Sequence, residues 1–139
     1  MKPVAGIHEF AVEQMNRLLT TLAFQVHRAA KKPGPDEIHD LRESIRRFTQ
    51  GLLLFTGLFP KWEVKKIKRM LKGMMQVTSE VRNRDIAIEY LLEEKETTHR
   101  QRLEKERVQC QRRFAEMARR WSARDFSAKW RNGLSLRSV

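Results

Sequence analysis

His39, Arg42, Arg46 and Arg47 crowd into the stretch HDLRESIRRF, residues 39–48. On a helix, with His39 at zero, Arg42 lies at about −60° and Arg46 at about −20°, so these three share one side. Arg47 stands about 80° to the other side of His39, at the edge of the row. A second cationic ridge follows at Lys65, Lys68, Arg69 and Lys72, with Glu63 the only acidic residue between 61 and 72. Like charges one helical turn apart destabilise a helix by a few tenths of a kcal/mol per pair. A chain that carries two such rows is expected to set them against an anion. Arginine offers phosphate or carboxylate oxygens a planar fork, and lysine offers a mobile point charge.

Other chemistries find less support. The pair His39–Asp40 has the order of metal-dependent phosphohydrolases, but His8, His27 and His99 are not arranged to complete such a centre. ETTH at 96–99 has the Glu-x-x-His spacing of di-iron bundles, which need a second such pair and two further glutamates; no second pair is present. There is no glycine-rich phosphate loop and no nucleophile elbow. The chain is therefore expected to be no enzyme and to carry no cofactor. Arginines around His39 repel a cation, so no metal site is expected either. Non-specific nucleic-acid binding is the alternative that the charge allows, although Phe48, Phe55, Phe114 and Trp121 fall on apolar stripes and not on a base-stacking surface.

Helices must position these cations. Ile7, Ala11, Met15, Leu18, Leu22, Val26 and Ala29 recur at steps of four and three, the mark of one apolar helix face. KKPGPD at 31–36 breaks that helix, and Asp36 can cap the next, with His39 at its third position. The second helix carries Ile38, Leu41, Ile45, Phe48, Leu52, Phe55 and Phe59 and is expected to end at Pro60. Its apolar face centres roughly 145° from His39, so the basic row flanks the core. A third helix is expected from about Lys61 to Leu92, with RNRD at 82–85 within or beside it as the place for a bend. A fourth starts near Glu93 and carries Leu103, Cys110, Phe114, Met117 and Trp121, a stripe that Arg107 interrupts. Ser122 or Asp125 can cap a short last helix over 126–131, with Gly133 as its stop. No stretch alternates as a strand would. The expectation is one all-α domain over residues 1–139, an antiparallel four-helix bundle with a short C-terminal helix.

Charge and composition agree. The chain has 139 residues, 29 Lys and Arg against 17 Asp and Glu, and a formal charge of +12. The excess is uneven: residues 1–60 hold 8 basic and 6 acidic side chains, and residues 61–139 hold 21 and 11. Such an imbalance points to a polyanionic partner. Cys110 is the single cysteine, so no intrachain disulfide forms, which suits a reducing compartment. Neither a signal peptide nor a membrane span is expected, because GLLLFTGLF is far too short to cross a bilayer. The chain reads as soluble and cytoplasmic.

IHDLRESIRRF, followed some 35 residues later by VRNRDIAI, resembles the CHAD family, the conserved histidine α-helical domain. His39, Arg42, Arg46 and Arg47 match the first block of its pattern, His-x-x-Arg-x-x-x-Arg-Arg. Val81, Arg82 and Asp85 match the second, with Ile86 a fair substitute and Asn83 where an aspartate is usual. The helix order and WSARDF near the end fit as well. The resemblance implies an all-helical protein that binds inorganic polyphosphate in a basic cavity, often beside polyphosphate granules. Members usually have two four-helix halves facing one another, and this chain resembles the N-terminal half. A homodimer is therefore expected to supply the second wall. His39, Arg42, Arg46, Arg47, Lys65, Lys68, Arg69, Lys72 and Arg82 are expected to form most of the polyanion surface. The fourth helix adds Arg100, Arg107 or Arg113, among which the sequence does not choose. His39 either donates to a phosphate or orients Arg42 or caps its helix. Arg82 is expected to pair with Asp85 and so hold the end of the third helix.

Overall fold

The computed structural model describes residues 3–136, which form five α-helices and no strand. The helices are α1 (Pro3–Lys31), α2 (Pro35–Leu54), α3 (Lys61–Glu93), α4 (Thr98–Ala123) and α5 (Phe126–Gly133). Each of the first four packs against two neighbours in the cycle α1–α2–α3–α4–α1. With connections this short, consecutive helices run antiparallel, which is the expected four-helix bundle. The core lies where their stripes meet: Met15, Leu22, Leu41, Ile45, Phe48, Ile67, Leu71, Met74 and Phe114 are all essentially inaccessible to water. α1 and α2 cross closely at Gly51, where a Cβ would stand 2.6 Å from Met15 Sδ.

The helix ends differ from the sequence-based expectation in instructive ways. α2 starts one residue before Asp36, on Pro35, with Gly34 as its N-cap and no side-chain cap bond. Proline suits the first helical position because its missing N–H would have had no partner there. His39 consequently sits at the fifth helical position. α2 also stops at Leu54, not at Pro60, and Thr56–Leu58 form a single 3-10 turn. Pro60 forces Phe59 out of the helical region, to φ −122° and ψ 157°, while Phe59 still reaches the core. In α1, Leu19 and not Leu18 is fully buried, and Ile7 is half exposed.

RNRD at 82–85 is continuous α-helix inside α3. α4 begins five residues later than expected, because Lys95 turns left-handed (φ 56°) and ends α3 with two reversed bonds, Lys95 N to Leu92 O and Glu96 N to Leu91 O. Of the two candidate caps for α5, Ser122 and Asp125, it is Asp125 that serves, accepting from Ala128 N. Gly133 is not the left-handed stop, however; Ser135 takes that role at φ 55°. Gly133 is the last helical residue, and a Cβ there would stand 2.5 Å from the Glu63 carboxylate. α5 closes the end of the bundle formed by the start of α3 and the end of α4. Trp130 stacks on Phe48, and Trp121, Phe126 and Trp130 pack against one another edge-on or tilted. Asn16 ties α5 to α1 by donating to Leu136 O and accepting from Arg131 Nε.

Candidate anion-binding site

The outer faces of α2 and α3 leave a groove of about 570 Å³ between them. Its cations are Arg46 from α2 and Lys65, Lys68, Arg69 and Lys72 from α3, and no carboxylate lines it. Ile45, Leu71 and Met75 form its apolar floor, with Thr49 and Gln50 as polar neighbours. The spacing of three and four residues that flanks the core stripe is what aims the α3 row, together with Arg46 of the α2 row, at this one groove. Arg46 leans on Glu43 at 2.5 Å, but both side chains are well exposed, and a pair of that kind holds its charge only loosely. The four α3 cations have no ion pair among the described residues.

Arg42 does more than flank the core. Its Nη1 donates to Met75 O at 2.9 Å, to Thr78 Oγ1 at 3.0 Å and to Ser79 Oγ at 2.7 Å, crossing from α2 to α3. No carboxylate reaches it among the described residues. Burial, and then the charges of Arg82 and Arg46, push its guanidinium pKa down. Arg42 is thus a fixed cation between two others, in a place where a negative charge is missing. Thr78 and Ser79 are the partners that sequence reasoning missed. Their only signal was a pair of small hydroxyl residues on a charged helix, one of them in the apolar register.

On the far side of Arg42, His39 and Arg82 open onto a second cleft of about 560 Å³ at the α3–α4 hairpin. This cleft is of mixed charge, since Asp85, Glu89 and Glu104 line it together with Arg82 and Arg107. His39 is exposed and makes no hydrogen bond among the described residues, so it neither orients Arg42 nor caps α2 here. The expected pair of Arg82 with Asp85 is not formed. Asp85 faces α4 in the helix interface and pairs with Arg107 Nε, leaving Arg82 exposed and without an ion pair among the described residues.

Arg47 lies on the opposite flank of α2, in a groove shared with α1, and shares Glu43 with Arg46. The three arginines considered on α4 each meet a carboxylate: Arg100 with Glu104 at 3.8 Å, Arg107 with Asp85, and Arg113 with Glu80 at 3.1 Å. Glu80, with Cys110 and a hydrogen bond to each of them, raises the Arg113 pKa. Arg107 and Arg113 tie α4 to α3, whereas the Arg100 pair lies within α4. Of the cations expected to bind the polyanion, those without an ion pair among the described residues are Arg42 on α2 and Lys65, Lys68, Arg69, Lys72 and Arg82 on α3.

Among the described residues no three His, Cys, Asp or Glu side chains converge as metal ligands would, and no helix is long and apolar enough to cross a membrane. The family model that matches the chain is described as CHAD domain, and the match spans residues 14–138. No curated protein and no solved structure matches the chain.

Proposed function

Since this chain belongs to the CHAD family, a family associated with polyphosphate binding, we propose that it binds inorganic polyphosphate in the α2–α3 groove. The observation that carries this reading is the groove itself, which gathers five cations and is lined by no carboxylate. Polyphosphate has a negative charge on each unit and no bases, so spaced cations and hydrogen-bond donors suffice to hold it. Arg46, Lys65, Lys68, Arg69 and Lys72 contact the chain. Arg42 and Arg82 continue the positive field toward His39, and the protein acts as a non-catalytic binding module that associates with polyphosphate granules in the cytoplasm.

A homodimer completes the site. Ile86, Leu92 and Val108 are each about half exposed around the hairpin cleft. The mixed charges there, Arg82 and Arg107 against Glu89 and Glu104, suit an isologous pairing in which each cation meets the partner's anion. Light scattering at micromolar concentration, with and without polyphosphate, tests this; a strict monomer in both conditions contradicts it.

One observation favours a different ligand. Trp62 is 73% exposed on α3, one turn from Lys65 and Lys66, where it could stack on a base of single-stranded nucleic acid. Competition decides between the two. At about 100 mM salt, where non-specific electrostatic binding is already weakened, polyphosphate is expected to displace single-stranded DNA at equal phosphate concentration. Replacing Trp62 with alanine is expected to leave polyphosphate affinity unchanged. Displacement of polyphosphate by DNA, with affinity for DNA lost in that variant, would overturn the polyphosphate reading.

A further inference from the structure

We propose that a second anion-binding cleft, lined by Lys66, Arg120, Arg124 and Lys129, extends the α2–α3 groove and makes the protein selective for long polyphosphate over short. This inference rests on the polyphosphate reading above. The cleft lies between α3, α4 and α5 and has a volume of about 260 Å³. All four cations are exposed, and none forms an ion pair among the described residues. Glu63 is the single carboxylate in the lining, and it lies against the backbone of Gly133. The packed Trp121, Phe126 and Trp130 give the cleft a rigid floor.

Both sites belong to the same end of the bundle and share α3. Lys65 and Arg69 line the groove, and Lys66 lines the cleft. On the helix Lys66 stands about 60° round from Arg69 and about 100° from Lys65. The crest between them carries Trp62, Lys65, Lys66, Arg69, Gly73 and Gln76. The first carboxylate on that line is Glu80, which is engaged by Arg113. A flexible polyanion therefore crosses from groove to cleft over α3 without meeting a negative charge. Lys65 to Lys72 spans only about 10 Å along the axis, so a short anion fills the groove alone, whereas a long one engages both sites at once. The second contact is then intramolecular and raises affinity without any new chemistry.

The test compares tripolyphosphate with long-chain polyphosphate on three forms of the full chain: the parent, the cleft variant Lys66→Gln/Arg120→Gln, and a charge-matched control, Lys31→Gln/Lys105→Gln. The control residues are exposed, line neither site, and lie toward the other end of the bundle. The cleft variant is expected to lose about tenfold in affinity for the long chain and to flatten its salt slope by about 1.4, two contacts at 0.7 each. Its affinity for tripolyphosphate is expected to match that of the control. Glu63→Gln is expected to tighten the long chain alone. A cleft variant that binds long chain as well as the control does would overturn the extension and leave the groove reading standing. Equal loss for both lengths would overturn it too, because the cleft would then be a primary site. Failure of the parent to bind either length would instead remove the polyphosphate reading itself.

Discussion

The three hydrogen bonds that Arg42 Nη1 donates across to α3 give this side chain a structural duty as well as its charge. The Arg46 guanidinium, whose one hydrogen-bond partner among the described residues is the partly exposed Glu43, has no comparable duty. Arg42→Ala is expected to cost about 1–2 kcal/mol in urea unfolding, in line with hydrogen bonds from a charged donor that is only partly buried. Arg46→Ala is expected to cost under about 0.5 kcal/mol, as exposed pairs do. Equal stability of the two variants would show that the contacts to Thr78 and Ser79 carry no weight. Sequence periodicity placed Arg42 beside the core stripe correctly. It could not show the hydroxyls, because a guanidinium that reaches across helices finds its partners 36 and 37 residues away. Asp85 was misread for the same reason. Arg82 is its neighbour along the helix, but Arg107 reaches it from α4 inside the interface.

Among the elements, α4 has the sharpest division of labour. Its arginines looked in the sequence like an extension of the basic surface, because charges spread around a helix do not reveal which neighbour faces them. Packed against α3, Arg107 and Arg113 meet Asp85 and Glu80. Arg113→Gln is therefore expected to leave polyphosphate affinity within about twofold of the parent, whereas Arg69→Gln, which removes the same charge from the groove, lowers it by at least one contact's share. Equal losses in the two variants would contradict this division. The turn into α4 is pH-sensitive through Glu96. Burial raises the Glu96 pKa, but bonds from His99 N, the His99 ring and Arg100 N outweigh it, and the net shift is downward from 4.5. A carboxyl whose folded pKa is depressed contributes its stability above its unfolded value and loses it as pH falls through the folded one. Glu96→Gln is expected to melt a few degrees below the parent at pH 7, with the gap closing below about pH 4. A gap that persists unchanged at low pH would show that the carboxylate charge is irrelevant. The helix stripes were legible because burial imposes the 3.6-residue period. The ends were less so, since Pro35, Pro60 and Lys95 settle them through local backbone geometry that no periodicity encodes.

For the whole molecule, the bundle separates its charges by face. Glu80, Asp85 and Glu106 are engaged by arginines across the α3–α4 interface, and the α2–α3 groove is lined by cations and no carboxylate. That separation explains how a chain of net charge +12 folds around a single core: its unneutralised arginines and lysines lie outside the apolar stripes, where water screens them until an anion arrives. The most direct test is the salt dependence of polyphosphate affinity in the parent and in Lys68→Gln/Arg69→Gln. Five groove contacts give an expected slope of log affinity on log salt near −3.5 or steeper, at about −0.7 for each contact. The variant is expected to bind more weakly at every salt concentration, with a slope shallower by about 1.4. A variant that matches the parent in both affinity and slope would contradict the α2–α3 groove as the polyphosphate site.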